Sequence, residues 1–315
     1  MSVRILATSM LVGPAMAELG ARFPELHVEA FRSPPWETAL PDAEALVLLL
    51  SEPLAEDDLL RAPRLKVIGT YSAGTNHLPV EACARRGIRI VNTAGVLTDA
   101  TADLALALLL AVTRRISEGE ALVRSGRWQG WAPDQLLGIG LVGKTCGILG
   151  SGPIGRAFAK RAWALGLKPI FWDRDGQGGQ VDFGPASAPR MALGALLAAS
   201  DVLSLHCPLT EATRGLLGRA ELSLLPRGAV ILNTARGGIL DEGAVIALLR
   251  DGHLGGAGLD VYEGEPSLRA EWMSAPRAVL LPHLGSATRE TRESMARLLC
   301  VGIAAVLDGD RPGPE

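Results

Sequence analysis

Residues 147–155 read Gly147-Ile148-Leu149-Gly150-Ser151-Gly152-Pro153-Ile154-Gly155 and contain the pattern G-x-G-x-x-G between a predicted strand and a predicted helix. In this setting the first glycine permits a tight turn, and the second lets the backbone approach a pyrophosphate. The third glycine lets the helix pack closely on the strand, and the helix N-terminus offers free N–H groups to phosphate oxygens. The stretch therefore predicts a dinucleotide-binding unit of the Rossmann type.

An acidic residue ends the strand that follows this helix. Asp173 lies 21 residues after Gly152, where a carboxylate can accept hydrogen bonds from the ribose hydroxyls of NAD and would repel the 2′-phosphate of NADP. Arg174 comes next in the chain and is able to pair with such a phosphate. We therefore predict NAD(H) as the preferred cofactor, with NADP(H) as the alternative.

Short apolar runs alternate with longer helical patterns along the whole chain. The predicted strands are Val3–Thr8, Ala45–Leu50, Leu65–Gly69, Ile88–Val91, Thr145–Leu149, Lys168–Trp172, Val202–Leu205, Ala229–Leu232, Gly256–Leu259 and Ala278–Leu281. The predicted helices are Leu54–Arg61, Pro79–Arg86, Thr101–Arg124, Ile154–Leu165, Asp241–Arg250 and Thr288–Leu307. Such alternation predicts an α/β protein whose parallel sheets carry helices on both faces.

Two doubly wound domains of the Rossmann-like or flavodoxin-like type are expected in 315 residues. The long helix after Asp99 crosses from the first domain to the second, and the last helix has no strand after it and can return to the first domain. We therefore predict a discontinuous substrate-binding domain (1–99 and 286–315), an NAD-binding domain (100–285) and an active site in the interdomain cleft.

Composition excludes several other classes of protein. The chain is 48% apolar with a net charge of −3, which argues against disorder and gives no attraction to nucleic acid or to an anionic membrane. Its beginning, Met1-Ser2-Val3-Arg4, lacks the pattern of a signal peptide, and the longest apolar run, Leu104–Val112, is too short to span a bilayer. We expect a soluble cytoplasmic protein.

The four cysteines, Cys83, Cys146, Cys207 and Cys300, form no C-x-x-C pair, and each lies in or beside an apolar segment. This pattern is typical of small buried residues in a reducing compartment. No metal site is predicted.

Three predicted strands of the second half are each followed by a residue suited to acid–base or anion chemistry. Arg236 follows the first, Glu263 and Glu265 follow the second, and His283 follows the third. Arginine binds a carboxylate through two parallel hydrogen bonds, histidine donates protons near neutral pH, and a carboxylate favours a protonated imidazole. Because parallel strands end at one edge of a sheet, these residues can meet there and reduce a small 2-keto acid. The residues alone leave Glu263 and Glu265 as competing partners for the histidine.

From about residue 45 to about residue 300, the chain resembles the D-2-hydroxyacid dehydrogenase family, and within it the glyoxylate/hydroxypyruvate reductases. Residues 70–77, Thr70-Tyr71-Ser72-Ala73-Gly74-Thr75-Asn76-His77, look like the family's loop for the substrate carboxylate. Residues 92–103, Asn92-Thr93-Ala94-Gly95-Val96-Leu97-Thr98-Asp99-Ala100-Thr101-Ala102-Asp103, are similar to the start of the interdomain helix in glyoxylate reductases. The resemblance implies NAD(P)H-dependent reduction of glyoxylate or hydroxypyruvate to glycolate or D-glycerate.

The resemblance also implies roles for individual residues. It gives His283 the role of proton donor, chooses Glu265 over Glu263 as its partner, and makes Arg236 the residue that orients the substrate. Ala73 and Gly74 would bind the substrate through their N–H groups, together with Arg236 and His283. The implied cofactor contacts are Thr101, Gly150, Gly152, Pro153, Ile154, Gly155, Asp173, Arg174, His206, Cys207, Pro208, Thr213, Thr234, Ala235, Asp260, His283 and Gly285.

The segment Gly126-Arg127-Trp128-Gln129-Gly130-Trp131-Ala132-Pro133-Asp134-Gln135 resembles the loop that crosses to the partner subunit in dimeric members, which implies a homodimer. Gln135 stands where mammalian-type members have a tryptophan, so the size of the accepted substrate stays open. An alternative explanation of Trp128 and Trp131 is that they fill the core.

Two alternatives to the expected function stay open. One is another reaction of the same family, on D-3-phosphoglycerate or on a broad range of 2-keto acids. The other is an NAD-sensing binding module like the corepressors that share this fold.

Overall fold

The computed structural model describes residues 4–174, 176 and 178–309, and it divides into two compact units. The first unit runs to Leu97 and resumes at Ser286, and the second comprises Thr98–Gly285. Each unit is built on a parallel sheet, which confirms the predicted α/β class. Val3, with which the first predicted strand begins, lies outside the described residues, as do Met1, Ser2 and residues 310–315 of the predicted substrate-binding domain.

Strands and helices alternate through both units. The strands are β1 (Ile5–Ala7), β2 (Leu26–Val28), β3 (Ala45–Leu48), β4 (Val67–Thr70), β5 (Arg89–Val91), β6 (Thr145–Leu149), β7 (Lys168–Trp172), β8 (Gln180–Asp182), β9 (Ser187–Pro189), β10 (Val202–Leu205), β11 (Ala229–Asn233), β12 (Leu254–Leu259) and β13 (Ala278–Leu280). The helices are α1 (Ala15–Arg22), α2 (Pro34–Ala39), α3 (Glu56–Arg61), α4 (Val80–Arg85), α5 (Thr98–Thr113), α6 (Ile116–Arg124), α7 (Pro153–Ala164), α8 (Leu193–Ala199), α9 (Arg219–Leu222), α10 (Glu242–Arg250) and α11 (Arg289–Leu307). Short 3₁₀ segments span Leu40–Asp42 and Ala270–Ser274.

The first unit has the strand order β2-β1-β3-β4-β5, which is the flavodoxin-like order. The last helix, α11, packs on β4 so closely that a Cβ added to Gly69 would lie 2.6 Å from Cδ1 of Ile303. Tyr71 Oη also donates a hydrogen bond to the carbonyl of Arg292 in this helix at 2.5 Å. The C-terminal helix therefore completes the core that the N-terminal strands begin.

The second unit has the strand order β13-β12-β11-β10-β6-β7. The direction of winding reverses between β6 and β10, and ligands bind at such a switch point, beyond the carboxyl ends of the strands. An antiparallel hairpin of β8 and β9 follows β7 and brings Arg190 back beside Phe171. The sequence patterns did not predict this hairpin.

The predicted single helix Thr101–Arg124 is wrong, because the structure divides it into α5 and α6. Arg115 adopts a left-handed backbone with φ of 53° between them. The carbonyl of Thr113 accepts a hydrogen bond from the N–H of Ile139 at 2.8 Å, so it is engaged by a distant segment. This long-range contact ends α5 where the apolar pattern alone would continue it.

The loop after α6 is exposed in the single chain. Trp128 is 53% exposed and Trp131 is 83% exposed, so the alternative that they fill the core is wrong. All four cysteines are buried free thiols. Across residues 4–174, 176 and 178–309, no helix combines the length and apolar character needed to cross a membrane.

Candidate active site

His283 and Glu265 are joined by a hydrogen bond at the carboxyl edge of the second sheet. His283 Nδ1 lies 2.8 Å from Glu265 Oε2, and the other oxygen of this carboxylate accepts the N–H of Tyr262 at 2.7 Å. His283 follows β13 with a left-handed backbone, φ 56°, which aims the ring in a direction that an extended residue would not. Because Nδ1 faces the carboxylate, Nε2 is the ring nitrogen left for proton transfer.

Glu265 lies between the histidine and an arginine. Burial raises the pKa of its carboxyl, but the hydrogen bonds with His283 and Tyr262 and the charge of Arg236 outweigh burial and hold the pKa below its usual range. The carboxylate is therefore ionised at neutral pH and fixes the orientation of the His283 ring. The sequence left Glu263 as a rival for this position, and the structure brings Glu265, not Glu263, to the ring.

Arg236 follows β11, and its loop is shaped by an asparagine. Asn233 Nδ2 donates to the carbonyl of Arg236 at 2.9 Å, while Asn233 Oδ1 accepts the N–H of Ala235 at 3.0 Å. Burial lowers the pKa of the Arg236 guanidinium, and nearby Glu265 partly opposes this effect. In the part of the chain that the structure describes, this guanidinium donates only to the Ala235 carbonyl, at 2.7 Å, which leaves donors for an anion.

The loop that carries His283 is held by Asp260 and Thr101. The two oxygens of the buried Asp260 accept the N–H groups of Leu284 at 2.6 Å and Gly285 at 2.8 Å, and Thr101 Oγ1 donates to the Gly285 carbonyl at 3.1 Å. Burial raises the pKa of Asp260, against the lowering effect of these N–H groups and of His283. The structure thus brings together Thr101, Asp260, Gly285 and His283; their predicted contacts with a cofactor stay predictions.

Glu242 supports the opposite side of the Glu265 loop and was missed by the sequence analysis. Its buried carboxylate accepts the N–H of Glu263 at 2.6 Å and the indole Nε1–H of Trp272 at 2.7 Å. A Cβ on Gly237 would lie 2.0 Å from the carbonyl carbon of Tyr262, so the arginine loop also packs directly on this segment. Glutamate is common in the first turn of a helix, and this ordinary position conceals the role of Glu242 in the sequence.

The glycines of G-x-G-x-x-G each have a different surrounding. Gly150 has φ of 103°, and a Cβ there would lie 2.8 Å from the carbonyl of His206. A Cβ on Gly155 would lie 2.0 Å from the carbonyl oxygen of Gly150, whereas a Cβ on Gly152 would meet no atom within 4 Å. Pro153 is the first residue of α7, and Gly152 is its N-cap. This open cradle at a helix N-terminus fits a pyrophosphate.

Asp173 is anchored where the adenosine ribose of a dinucleotide is expected. Its carboxylate accepts the N–H and the Oγ–H of Ser151, both at 2.6 Å, and Arg190 Nε at 2.8 Å. Burial raises the pKa of Asp173, but Ser151 and Arg190 outweigh it and lower the pKa below its usual value. Arg174 lies in the turn that follows.

The segment after β10 contains a histidine, His206, whose surroundings do not suit proton transfer. The His206 ring is buried against Phe158, its Nε2 lies 2.8 Å from Ser204 Oγ, and burial lowers its pKa to about 3. Thr213 Oγ1 donates to the Pro208 carbonyl at 2.7 Å and shapes this loop beside Cys207.

Thr234, after β11, is buried, and its hydroxyl has no hydrogen-bond partner among the described residues. An unpaired buried hydroxyl beside Arg236 is suited to a polar ligand.

In the first unit, the loop after β4 is fixed by its own polar side chains. Ser72 Oγ donates to the Gly74 carbonyl at 2.6 Å, and Asn92 Nδ2 donates to the Ala73 carbonyl at 3.2 Å. Thr70 Oγ1 lies 2.9 Å from Nε2 of His77. These bonds make the Ala73-Gly74 backbone a defined element. Within the described parts of both units, no three His, Cys, Asp or Glu side chains cluster closely enough to hold a metal ion.

Comparison with known proteins gives one consistent result. The family model described as D-isomer specific 2-hydroxyacid dehydrogenase, NAD binding domain, matches residues 106–285. Two similar proteins are glyoxylate reductases: that of Thermococcus litoralis is 45% identical over 86% of this chain and 82% of its own length. That of Aeropyrum pernix is 40% identical over 96% of this chain and 92% of its own length. A crystal structure of a protein from Thermus thermophilus has a TM-score of 0.89 and 43% identity, and 98% of each chain is covered.

Proposed function

The chain belongs to the D-isomer specific 2-hydroxyacid dehydrogenases, and on this premise we propose that it reduces glyoxylate and hydroxypyruvate to glycolate and D-glycerate. The observation that carries the proposal is the 2.8 Å contact between His283 and Glu265, with the charge of Arg236 acting on the same carboxylate. The glyoxylate reductases among its relatives support the choice of substrate.

His283 is the proton donor in this proposal. Its Nε2 gives a proton to the keto oxygen while Glu265 holds the ring through Nδ1. In the direction of oxidation, the same nitrogen accepts the proton of the substrate hydroxyl. Glu265 stabilises the cationic ring that precedes donation, because its own lowered pKa keeps the carboxylate ionised beside the ring.

Arg236 is the proposed partner of the substrate carboxylate. A guanidinium binds a carboxylate through two parallel hydrogen bonds, and these are stronger when the group is partly removed from water, as Arg236 is. We propose that the N–H groups of Ala73 and Gly74 also bind this carboxylate. In this proposal the unit that contains residues 4–97 binds substrate and the unit that contains residues 98–285 binds cofactor.

NAD(H) is the preferred cofactor in the proposal, and it supplies the hydride to the keto carbon when bound. Gly152 leaves room for the pyrophosphate, and Asp173 accepts hydrogen bonds from the ribose. The other residues proposed to contact this cofactor are Thr101, Gly150, Pro153, Ile154, Gly155, Arg174, His206, Cys207, Pro208, Thr213, Thr234, Ala235, Asp260 and Gly285.

We propose that the protein forms a homodimer and that it is located in the cytoplasm. Two large apolar side chains of the segment from Gly126 to Val142 are strongly exposed, Trp131 at 83% and Val142 at 85%. Exposed apolar side chains of this kind mark protein–protein interfaces. The buried free thiols accord with a reducing compartment. Light scattering on wild type and on Trp131→Glu tests the dimer: we expect a dimer that dissociates in the variant.

A steady-state panel of keto acids tests the reaction. Glyoxylate, hydroxypyruvate, pyruvate, 3-phosphohydroxypyruvate and a branched 2-keto acid are each assayed with NADH and with NADPH. We expect the highest kcat/KM for glyoxylate or hydroxypyruvate with NADH. A preference for 3-phosphohydroxypyruvate would indicate that the protein is instead a phosphoglycerate dehydrogenase. Equal kcat/KM values for all of the keto acids would indicate a broad 2-keto acid reductase. Dinucleotide binding with no turnover would favour a binding module.

A further inference from the structure

Arg190 reaches the nucleotide site from a hairpin rather than from the strand that carries Asp173. The hairpin of β8 and β9 ends beside β7, where Arg190 N donates to the carbonyl of Gly179 at 3.0 Å and Met191 N donates to that of Phe171 at 2.8 Å. The backbone of Arg190 is thereby fixed alongside β7, two residues before Asp173. Its side chain is positioned by the fold and not by a free loop.

The Arg190 side chain contacts the carboxylate that is expected to read the ribose. Arg190 Nε lies 2.8 Å from Asp173 Oδ2, and the two side chains are 25% and 23% exposed. This is the only hydrogen bond of the Arg190 side chain among the described residues, so both terminal nitrogens keep their donors. From the described residues, Asp173 accepts three hydrogen bonds, two from Ser151 and one from Arg190. A carboxylate has about four acceptor sites, which leaves room for one ribose hydroxyl.

The charge of this pair differs from that of a lone carboxylate. A lone carboxylate beside the ribose repels a 2′-phosphate, which carries about −1.5 to −2 charges at pH 7. An ion pair of Asp173 and Arg190 has no net charge, and a guanidinium fork matches the geometry of phosphate. The discrimination against a 2′-phosphate is therefore weaker than Asp173 alone would give.

We propose that Arg190 determines how strictly this site excludes the 2′-phosphate: it neutralises Asp173 and offers its terminal nitrogens to the phosphate, so that NADPH is accepted beside NADH. The inference rests on the proposed use of nicotinamide dinucleotides. A purely structural ion pair would instead tie the hairpin to β7 and affect both dinucleotides alike. The two dinucleotides differ only by the 2′-phosphate, which makes them a matched pair of probes.

The test measures the affinity of NADH and NADPH by calorimetry, without turnover, for wild type, Arg190→Met and Arg190→Lys. We expect Arg190→Met to weaken NADPH binding about tenfold while NADH binding changes by less than about twofold, because one charge is removed near the 2′-phosphate alone. Arg190→Lys keeps the charge and should retain NADPH affinity within about threefold. Arg219→Met, an exposed arginine of the same unit, is the matched control and should change neither.

A double-mutant cycle with Asp173 sharpens the result. Asp173→Asn should strengthen NADPH binding because the Arg190 charge is then uncompensated, and Asp173→Asn with Arg190→Met should lose that gain. Added salt should weaken NADPH binding more in wild type than in Arg190→Met. Equal effects of Arg190→Met on both dinucleotides, or no effect on either, would overturn the inference and leave the proposed function standing. Failure of wild type to bind either dinucleotide would overturn both.

Discussion

Glu242 and Trp272, thirty residues apart in sequence, are joined in the interior of the second unit by a 2.7 Å hydrogen bond from the indole nitrogen to the carboxylate. The other carboxylate oxygen accepts the N–H of Glu263, so one side chain connects helix α10 with the segment that carries Glu265. The position of the acid partner of His283 thus depends on a residue that does not touch the histidine.

We expect Glu242→Gln to destabilise the protein by about 1–3 kcal/mol, because the amide nitrogen must face one of two buried donors. The kcat should fall more than the affinity for NADH, since the Glu265 loop shifts. Urea unfolding and steady-state kinetics measure these effects. Glu271→Gln, an exposed neighbour of Trp272, is the control and should change stability by less than about 0.5 kcal/mol. Equal stability of the two variants would contradict this account.

His283→Ala should lower kcat by about 10²–10⁴-fold, the usual range for loss of a general acid. NADH affinity, measured by fluorescence titration, should stay close to that of wild type. The left-handed backbone of His283 makes His283→Asn a useful second variant, because asparagine tolerates this conformation better than alanine. Turnover close to wild type in either variant would remove His283 from the role of proton donor.

Glu265 should make the stability of the protein depend on pH in the acid range. Its folded-state pKa lies below the ordinary value of 4.5, so its contribution is complete above 4.5 and is lost as the pH falls through the lowered pKa. The difference in unfolding free energy between wild type and Glu265→Gln should therefore shrink as the pH falls below about 4.5. Urea unfolding at a series of pH values measures it, and a constant difference at all pH values would refute the assignment.

Alanine substitutions at Gly155 and Gly152 in the nucleotide loop should have different effects, the first on stability and the second on NADH binding. Gly155→Ala places a Cβ 2.0 Å from the Gly150 carbonyl oxygen and should cost about 1–3 kcal/mol of stability, as overpacking does. Gly152→Ala meets no atom within 4 Å and should leave stability within about 0.5 kcal/mol. It should nevertheless weaken NADH binding at least about tenfold, because the methyl group occupies the approach of the pyrophosphate. Thermal unfolding and calorimetry separate the two effects.

Much of the fold follows from local pattern, because a buried parallel strand needs a continuous apolar run wherever it occurs. The strands β6, β7 and β10 begin and end where the sequence predicts them. The predicted helix Thr101–Arg124 failed because its break depends on Ile139, which no local window contains. The hairpin of β8 and β9 was missed for a similar reason, since its three-residue strands carry little apolar signal.

The residues of the candidate site also fall into two groups, those that the local sequence pattern predicts and those that it misses. Arg236, His283 and the rivals Glu263 and Glu265 were predicted because each follows a strand at the sheet edge where ligands bind, and the family resemblance chose Glu265. Glu242 and Arg190 were missed because their roles arise from contacts with distant residues, Trp272 in one case and Asp173 in the other. In both cases the residue type is ordinary for its local position, and the spatial neighbour gives it a function.

The contact of α11 with β4 affects the order in which the two units can fold during synthesis. The ribosome produces the strands of the first unit before residues 98–285, and it produces Ile303, which packs on Gly69, after them. A nascent chain must therefore hold an uncovered face of β4 while residues 98–285 emerge and form their own core. The second unit, although most of it follows the first unit's strands in the sequence, is the first that can finish folding, and the sheet of the first unit waits until α11 has been synthesised.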